Sequence, residues 1–138
     1  MTARRYLAAY LGAGVVFAGL DAVWLTATNA ALYRLALGRI LTPGFRPAPA
    51  IAFYLIYLAG VVVFAIAPAI RANAGWRGAA TRGGLLGFFC YATYDLTNQA
   101  TLIVWATRVT VLDLAWGILL TATGATAGYL ASKLVGPT

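Results

Sequence analysis

Long apolar stretches, separated by short segments that carry most of the basic residues, run along the chain. Four of these stretches have about 20 residues or slightly more, enough for a helix to cross about 30 Å of hydrocarbon. The pattern predicts an all-α integral membrane protein, a single domain in which four spans pack as a four-helix bundle. Their predicted bounds are Tyr6–Thr28, Ala50–Ile70, Arg82–Trp105 and Val109–Leu130.

The segment Ala31–Pro49, between the first two stretches, has a different pattern. Arg34, Arg39 and Arg46 alternate there with leucine, tyrosine and isoleucine residues, and prolines follow. Such a mixture is typical of an amphipathic helix that lies in the membrane interface, whereas prolines favour extended or turning backbone. We therefore predict a short interfacial helix followed by a Pro-rich segment, with an ordinary loop as the alternative.

The composition agrees with a membrane protein. Of the 138 residues, 62% are hydrophobic and 9% are charged, whereas soluble domains carry about 25% charged residues. A water-soluble fold of this size could not hide so much apolar surface, so a soluble enzyme is excluded. The net charge is +7, but the cations flank apolar stretches. They therefore indicate contact with the lipid bilayer, and no nucleic acid partner is expected.

The distribution of the basic residues predicts the orientation. With the N-terminus inside, six basic residues lie on the inner side and four on the outer side, which favours cytoplasmic termini. Although Arg4 and Arg5 precede an apolar run, this run is too long for a signal peptide, so we expect a retained first span. The inner residues are Arg4, Arg5, Arg71, Arg77, Arg82 and Lys133, and the outer ones are Arg34, Arg39, Arg46 and Arg108.

Several cofactor classes are not expected on residue content alone, since the chain has no histidine and one cysteine. Zinc, haem and iron–sulfur clusters need ligands that these residues do not supply. No glycine motif that cradles phosphate accompanies the acidic residues, so no nucleotide is expected either. The single cysteine, Cys90, lies in the middle of the third stretch and is expected to be a small buried side chain.

All three acidic residues, Asp21, Asp95 and Asp113, lie inside predicted spans. A charged side chain at the centre of a membrane costs about 2.5–3.5 kcal/mol, so it is rarely kept without a use. Asp21 and Asp95 lie about 22 Å and about 20 Å from the inner ends of their helices, and Asp113 about 6 Å from an outer end. We therefore expect the three to converge on one polar pocket in the outer half of the bilayer.

Polar or aromatic side chains accompany each aspartate at helical spacing. A tryptophan follows both Asp21 and Asp113 by three residues, and two amides follow Asp95 by three and four residues. Residues at this spacing share a helix face and can serve one partner together. The candidate ligand- or cation-binding residues are Asp21, Trp24, Tyr94, Asp95, Asn98, Gln99, Asp113 and Trp116.

Four interpretations of the acidic residues stay open. The carboxyl groups are protonated, or Asp21, Asp95 and Asp113 hold a hard divalent cation such as Mg²⁺ or Ca²⁺ with the Asn98 and Gln99 oxygens. A third interpretation pairs them with arginines of the loops. The fourth is a purely structural role, in which they only hydrogen-bond the helices together. The arginines nearest in chain and depth are Arg34, Arg39 and Arg108.

A resemblance to a known family is carried by the run Tyr91–Leu102, YATYDLTNQATL, which is followed by Trp105 and by the motif Asp113-x-x-Trp116-Gly117. With Asp21-x-x-Trp24-Leu25 in the first span, these segments are similar to a bacterial family of small predicted membrane proteins, domain of unknown function 2177. The resemblance implies a compact four-span protein of the bacterial inner membrane and points to the same aspartates, but it supplies no activity.

Three classes of function follow. A pocket that binds or conducts a proton, a cation or a small polar ligand is the first, and a homo-oligomer is then expected because four spans are few for a transporter. A lipid-modifying membrane enzyme is the second, with the carboxylates in acid–base or metal chemistry. The third is an accessory or assembly subunit of a larger membrane complex, which would suit the small size and the glycine-rich helix faces. We favour the first, because the motif residues are internal and polar.

Overall fold

The computed structural model describes residues 1–136, and over these residues the chain forms four long helices and no strand. The all-helical prediction is therefore confirmed. Helices α1, α2 and α4 are each long and apolar enough to cross a membrane. Helix α3 has 27 residues but is less apolar, because its second half carries Asp95, Asn98 and Gln99. The helices are α1, Ala3–Leu37; α2, Pro47–Arg71; α3, Gly75–Thr101; and α4, Thr107–Leu134.

Helix α1 continues well beyond the predicted end of the first span. It has 35 residues, about 52 Å of helix, and a π-helical turn at Asn29–Tyr33 lies within it. Such a turn widens the helix locally and changes the direction of the side chains that follow. The helix predicted within Ala31–Pro49 is therefore not a separate element in the structure, since its residues up to Leu37 are the end of α1.

The prolines of the same segment have two roles. Pro47 and Pro49 lie in the first turn of α2, where an N–H group would have no acceptor within the helix and proline is tolerated. The connection between α1 and α2 therefore ends before the last two prolines of the predicted Pro-rich segment and covers residues 38–46. A second π-helical turn, Val62–Ile66, precedes Pro68, and the wider turn lets α2 continue past a residue that cannot donate a backbone hydrogen bond.

Glycines bring the helix backbones into contact. At Gly87 in α3, an added Cβ would lie 2.2 Å from the Gly117 carbonyl oxygen in α4. At Gly128 in α4, it would lie 2.6 Å from the Ala9 carbonyl oxygen in α1. Small residues permit such close approach between membrane helices. Helix α4 thus packs between α1 and α3, antiparallel to both. The close contacts at these glycines are between helices of the same chain.

The interior between the helices is made largely of small residues with a few large ones, of which Phe17, Ile66 and Leu120 are fully buried. The outer surface, in contrast, exposes many large apolar side chains, including Val15 and Ile56. A soluble monomer rarely exposes so much contiguous apolar surface. The distribution therefore fits a protein whose surface is covered by lipid.

Candidate functional site

Asp21 is held by hydrogen bonds from two other helices. Its Oδ2 atom accepts a hydrogen bond from the Tyr54 hydroxyl of α2. Its Oδ1 atom accepts one from the Trp116 indole nitrogen of α4, at 3.2 Å. Donors to both oxygens compensate a carboxylate for lost water. Asp21 therefore joins α1, α2 and α4, with a donor on each of its two oxygens.

Asp113 lies at the end of a second set of contacts. It accepts a hydrogen bond from the Tyr33 hydroxyl, and Tyr33 in turn accepts one from the Trp24 indole nitrogen, at 2.9 Å. The Trp24 ring stacks on the Trp116 ring, with centroids 4.6 Å apart and planes 7° from parallel. Tyr33 reaches the site because α1 continues through the π-helical turn instead of ending near Thr28.

The tryptophans do not contact the aspartates that their spacing suggested. Trp116 donates to Asp21 of another helix, and Trp24 donates to the hydroxyl that serves Asp113. The side chains of Trp24 and Trp116 therefore cross between α1 and α4, and their stacked rings connect the surroundings of Asp21 with those of Asp113.

Asp95 has very different surroundings from Asp21. Its side chain is 0% exposed, and neither carboxyl oxygen receives a hydrogen bond from a donor group within the described residues. The carboxyl group of Asp113, on α4, is its acidic neighbour in the lining of the same cavity. Two neighbouring carboxylates repel each other when both are charged. We call Asp95 and Asp113 the carboxyl pair.

A cavity of about 590 Å³ lies beside the carboxyl pair, between α2, α3 and α4. Tyr94 is 62% exposed and Phe53 is 45% exposed, so the cavity is open on the outer face of the bundle. Cys90 also lines it and is exposed, which shows that the expected burial of this side chain was wrong. The lining residues are Phe53, Tyr57, Cys90, Tyr91, Thr93, Tyr94, Asp95 and Asp113.

The two predicted amides, Asn98 and Gln99, are not among the residues that line the cavity. The Gln99 Oε1 atom accepts a hydrogen bond from the Thr110 hydroxyl at 2.7 Å, and its Nε2 atom donates to the Thr107 hydroxyl at 2.9 Å. Thr110 also accepts a hydrogen bond from the Trp105 indole nitrogen, at 2.9 Å. Gln99 thus fastens the end of α3 to the start of α4. Asn98 is half-buried, and within residues 1–136 neither amide lines the cavity.

A metal site of three acidic ligands is not formed. Within residues 1–136, no three histidine, cysteine, aspartate or glutamate side chains are placed to hold one metal ion. Mg²⁺ and Ca²⁺ take six or more oxygen ligands. Asp95 and Asp113 would therefore need most of the ligands of a divalent cation from elsewhere, because Asp21 is engaged with Tyr54 and Trp116.

Sequence reasoning missed the aromatic residues that complete the site. Tyr33 and Tyr54 are the donors to Asp113 and Asp21, and Phe53 and Tyr57 form part of the cavity wall. A tyrosine in an apolar run is usually read as part of an interfacial belt. The available signal was that Tyr54 and Tyr57 lie well inside the second stretch, three residues apart and on one face.

Comparison with known families identifies the relatives of the chain. The model of a family described as a predicted membrane protein, DUF2177, matches residues 6–130. Comparison with curated proteins and with solved structures gave no match. The family match includes the three aspartates and the aromatic residues around them. The chain therefore belongs to the DUF2177 family of predicted membrane proteins.

Proposed function

We propose that the protein binds a cation, or the proton that replaces it, at the carboxyl pair inside the membrane. One observation carries the proposal: Asp95 is fully buried, receives no hydrogen bond from a described donor, and has a second carboxyl group as its neighbour in the cavity lining. An aspartate with only a structural role would be expected to resemble Asp21, whose two oxygens both have donors. Keeping Asp95 unpaired costs free energy, and a positively charged ligand would offset that cost.

In this proposal all four helices span the bilayer as a bundle. Contacts between α3 and α4 run from Gly83 beside Ala125 to Gln99 beside Thr107. Because the two helices are paired over this length, a membrane that α4 crosses is also crossed by α3. The carboxyl pair then lies in the outer half of the bilayer, and the end of α1 around Arg34 lies in the outer interface.

The cellular setting is part of the same proposal. The excess of basic residues on the inner side supports cytoplasmic termini, and a bacterial inner membrane is the location that this topology suits. A homo-oligomer or a larger membrane complex stays a prediction. The role of an accessory subunit was suggested by glycine-rich helix faces. It is less well supported by the structure, because Gly87 and Gly128 pack against Gly117 and Ala9 of the same chain.

The test compares Asp95→Asn with Asp21→Asn in detergent or lipid nanodiscs. The thermal stability of each variant is measured as a function of pH and of added cations. A ligand that binds only the folded state at 100 times its Kd stabilises by about 2.7 kcal/mol. We expect the wild type and Asp21→Asn to be stabilised by cations or by acidification, because either relieves repulsion within the carboxyl pair. Asp95→Asn should lose this response.

The control separates binding from general damage. Asp21→Asn weakens hydrogen bonds from Tyr54 and Trp116 and should start from a lower stability, but it leaves the carboxyl pair intact. Asp95→Asn removes one charge from a repelling pair and should not lower the stability at neutral pH. The proposal fails when Asp95→Asn responds to pH and to cations as the wild type does.

A further inference from the structure

We infer that the ligand of the carboxyl pair is an amphiphilic organic cation, with an amine or quaternary ammonium head and an apolar tail directed toward lipid. This inference rests on the proposed cation binding and adds the chemical class of the ligand. Its basis is that Asp95, fully buried and without a described donor, belongs with Asp113 to the lining of a cavity with aromatic walls.

The walls favour an organic cation over a metal ion. Phe53, Tyr57, Tyr91 and Tyr94 contribute four aromatic rings to the lining. An ammonium group is attracted to the face of an aromatic ring and also to a carboxylate. A hard divalent cation would instead require a shell of oxygen ligands, and no group of three suitable acidic, histidine or cysteine side chains is present within residues 1–136.

The size of the cavity supports the same class of ligand. Its volume is about 590 Å³, which falls within the range of about 300–1,000 Å³ for small-molecule sites. A metal ion or a single water molecule needs far less space, since a water molecule occupies about 30 Å³ in the liquid. The additional space lies between aromatic side chains and suits hydrocarbon.

The direction in which the cavity opens is the reason for expecting an apolar tail on the ligand. Exposed Phe53 and Tyr94 border the cavity on the outer face of the helices, which lipid would cover in a membrane. On the side of the helix ends, Gln99 and Thr110 lie about one turn beyond Asp95 and Asp113, and a hydrogen bond joins them. A ligand that enters from the lipid must itself dissolve there, so its charged head needs an apolar part.

The experiment uses Cys90 as a reporter, because it is the single cysteine of the chain and lines the cavity. The rate of Cys90 alkylation by N-ethylmaleimide is measured on the full chain in detergent. The additions are octyltrimethylammonium below its micellar concentration, tetramethylammonium, magnesium and the neutral amphiphile octyl glucoside. An occupant present at ten times its Kd slows labelling by about elevenfold, since the free fraction falls by one plus the ratio of concentration to Kd.

We expect octyltrimethylammonium to protect Cys90 in the wild type and to lose this protection in Asp95→Asn. Phe53→Leu keeps an apolar side chain at an exposed position but removes one ring. It should raise the Kd of octyltrimethylammonium, read from the concentration dependence of protection, about twofold to thirtyfold, the range for loss of one cation–π contact. Both variants are first checked for folding by gel filtration and by circular dichroism.

The other outcomes distinguish a failure of the amphiphilic-cation inference from a failure of the proposed cation binding. Protection by magnesium or tetramethylammonium but not by octyltrimethylammonium would overturn the inference and leave the proposed cation binding intact. Equal protection by octyl glucoside would show a groove for apolar chains and also overturn the inference. When no cation protects Cys90 and pH and cations stabilise wild type and Asp95→Asn alike, both the inference and the proposed function fail.

Discussion

The two halves of the α3–α4 pair, which we name inner (toward the start of α3) and outer (toward its end), are built from opposite kinds of residue. In the inner half, Gly83 and Gly87 bring the helices so close that an added Cβ would lie 2.6 Å and 2.2 Å from atoms of α4. In the outer half, Asp95 and Asp113 lie on the same two helices and line a cavity. The comparison teaches that one pair of helices can combine direct backbone contact with a cavity that holds two acidic side chains.

This division explains how a small chain can hold two acidic groups together. The carboxyl pair is unfavourable by itself, because desolvation and mutual repulsion both oppose it. Contacts elsewhere must therefore stabilise the arrangement. The close backbone contacts at Gly83 and Gly87 lie on the same pair of helices. In the proposed function, the inner half would act as the rigid support, while the outer half keeps Asp95 without a described donor.

The largest expected effect comes from filling the glycine contact. Gly87→Ala places a methyl group against the Gly117 backbone, which cannot move as a flexible side chain would. We expect a loss of about 3 kcal/mol or more in the free energy of unfolding. The matched control is Gly84→Ala on the same helix, where the nearest atom would lie at an ordinary 3.5 Å. Unfolding by denaturing detergent measures both, and equal losses would contradict the division.

A smaller effect is expected from the hydrogen bond that satisfies Asp21. Tyr54→Phe removes the hydroxyl that donates to this carboxylate, and bonds to charged groups contribute about 1.5–3 kcal/mol. The control is Tyr10→Phe, whose hydroxyl donates to the uncharged Leu55 carbonyl at 3.0 Å and should contribute about 0.5–1.5 kcal/mol. The same unfolding assay compares the two variants. A loss in Tyr54→Phe no larger than in Tyr10→Phe would show that Asp21 does not depend on this donor.

Hydropathy predicted the helices well where the span is apolar throughout. It located α1, α2 and α4, and it singled out the three aspartates because charge is so rare in these runs. Helix ends were harder to predict, since hydropathy reports the apolar part of a helix and the helical backbone continues into polar residues. For this reason α3 begins at Gly75, seven residues before the predicted Arg82, and α1 ends at Leu37.

Contacts between helices were the part that spacing along one helix could not give. The i,i+3 rule places Trp24 on the face of Asp21, but the rotation of α1 against α4 decides which carboxyl group each indole reaches. Tyr33 reaches Asp113 only because a π-helical turn continues α1. The pairing of Asp95 with Asp113, and not with Asp21, likewise depends on how three helices are rotated in the bundle.

The smallest expected effect is at the outer boundary of the polar half. Thr110→Val keeps the shape of a buried side chain but removes the hydroxyl between Gln99 and Trp105. These are bonds between neutral groups near the membrane interface, where water can replace a lost partner. We expect a loss of about 1 kcal/mol, recovered in Thr110→Ser, which restores the hydroxyl. A loss as large as that of Gly87→Ala would mean that hydrogen bonds, and not backbone contacts, hold α3 against α4. The proposed division between a rigid half and a binding half would then be wrong.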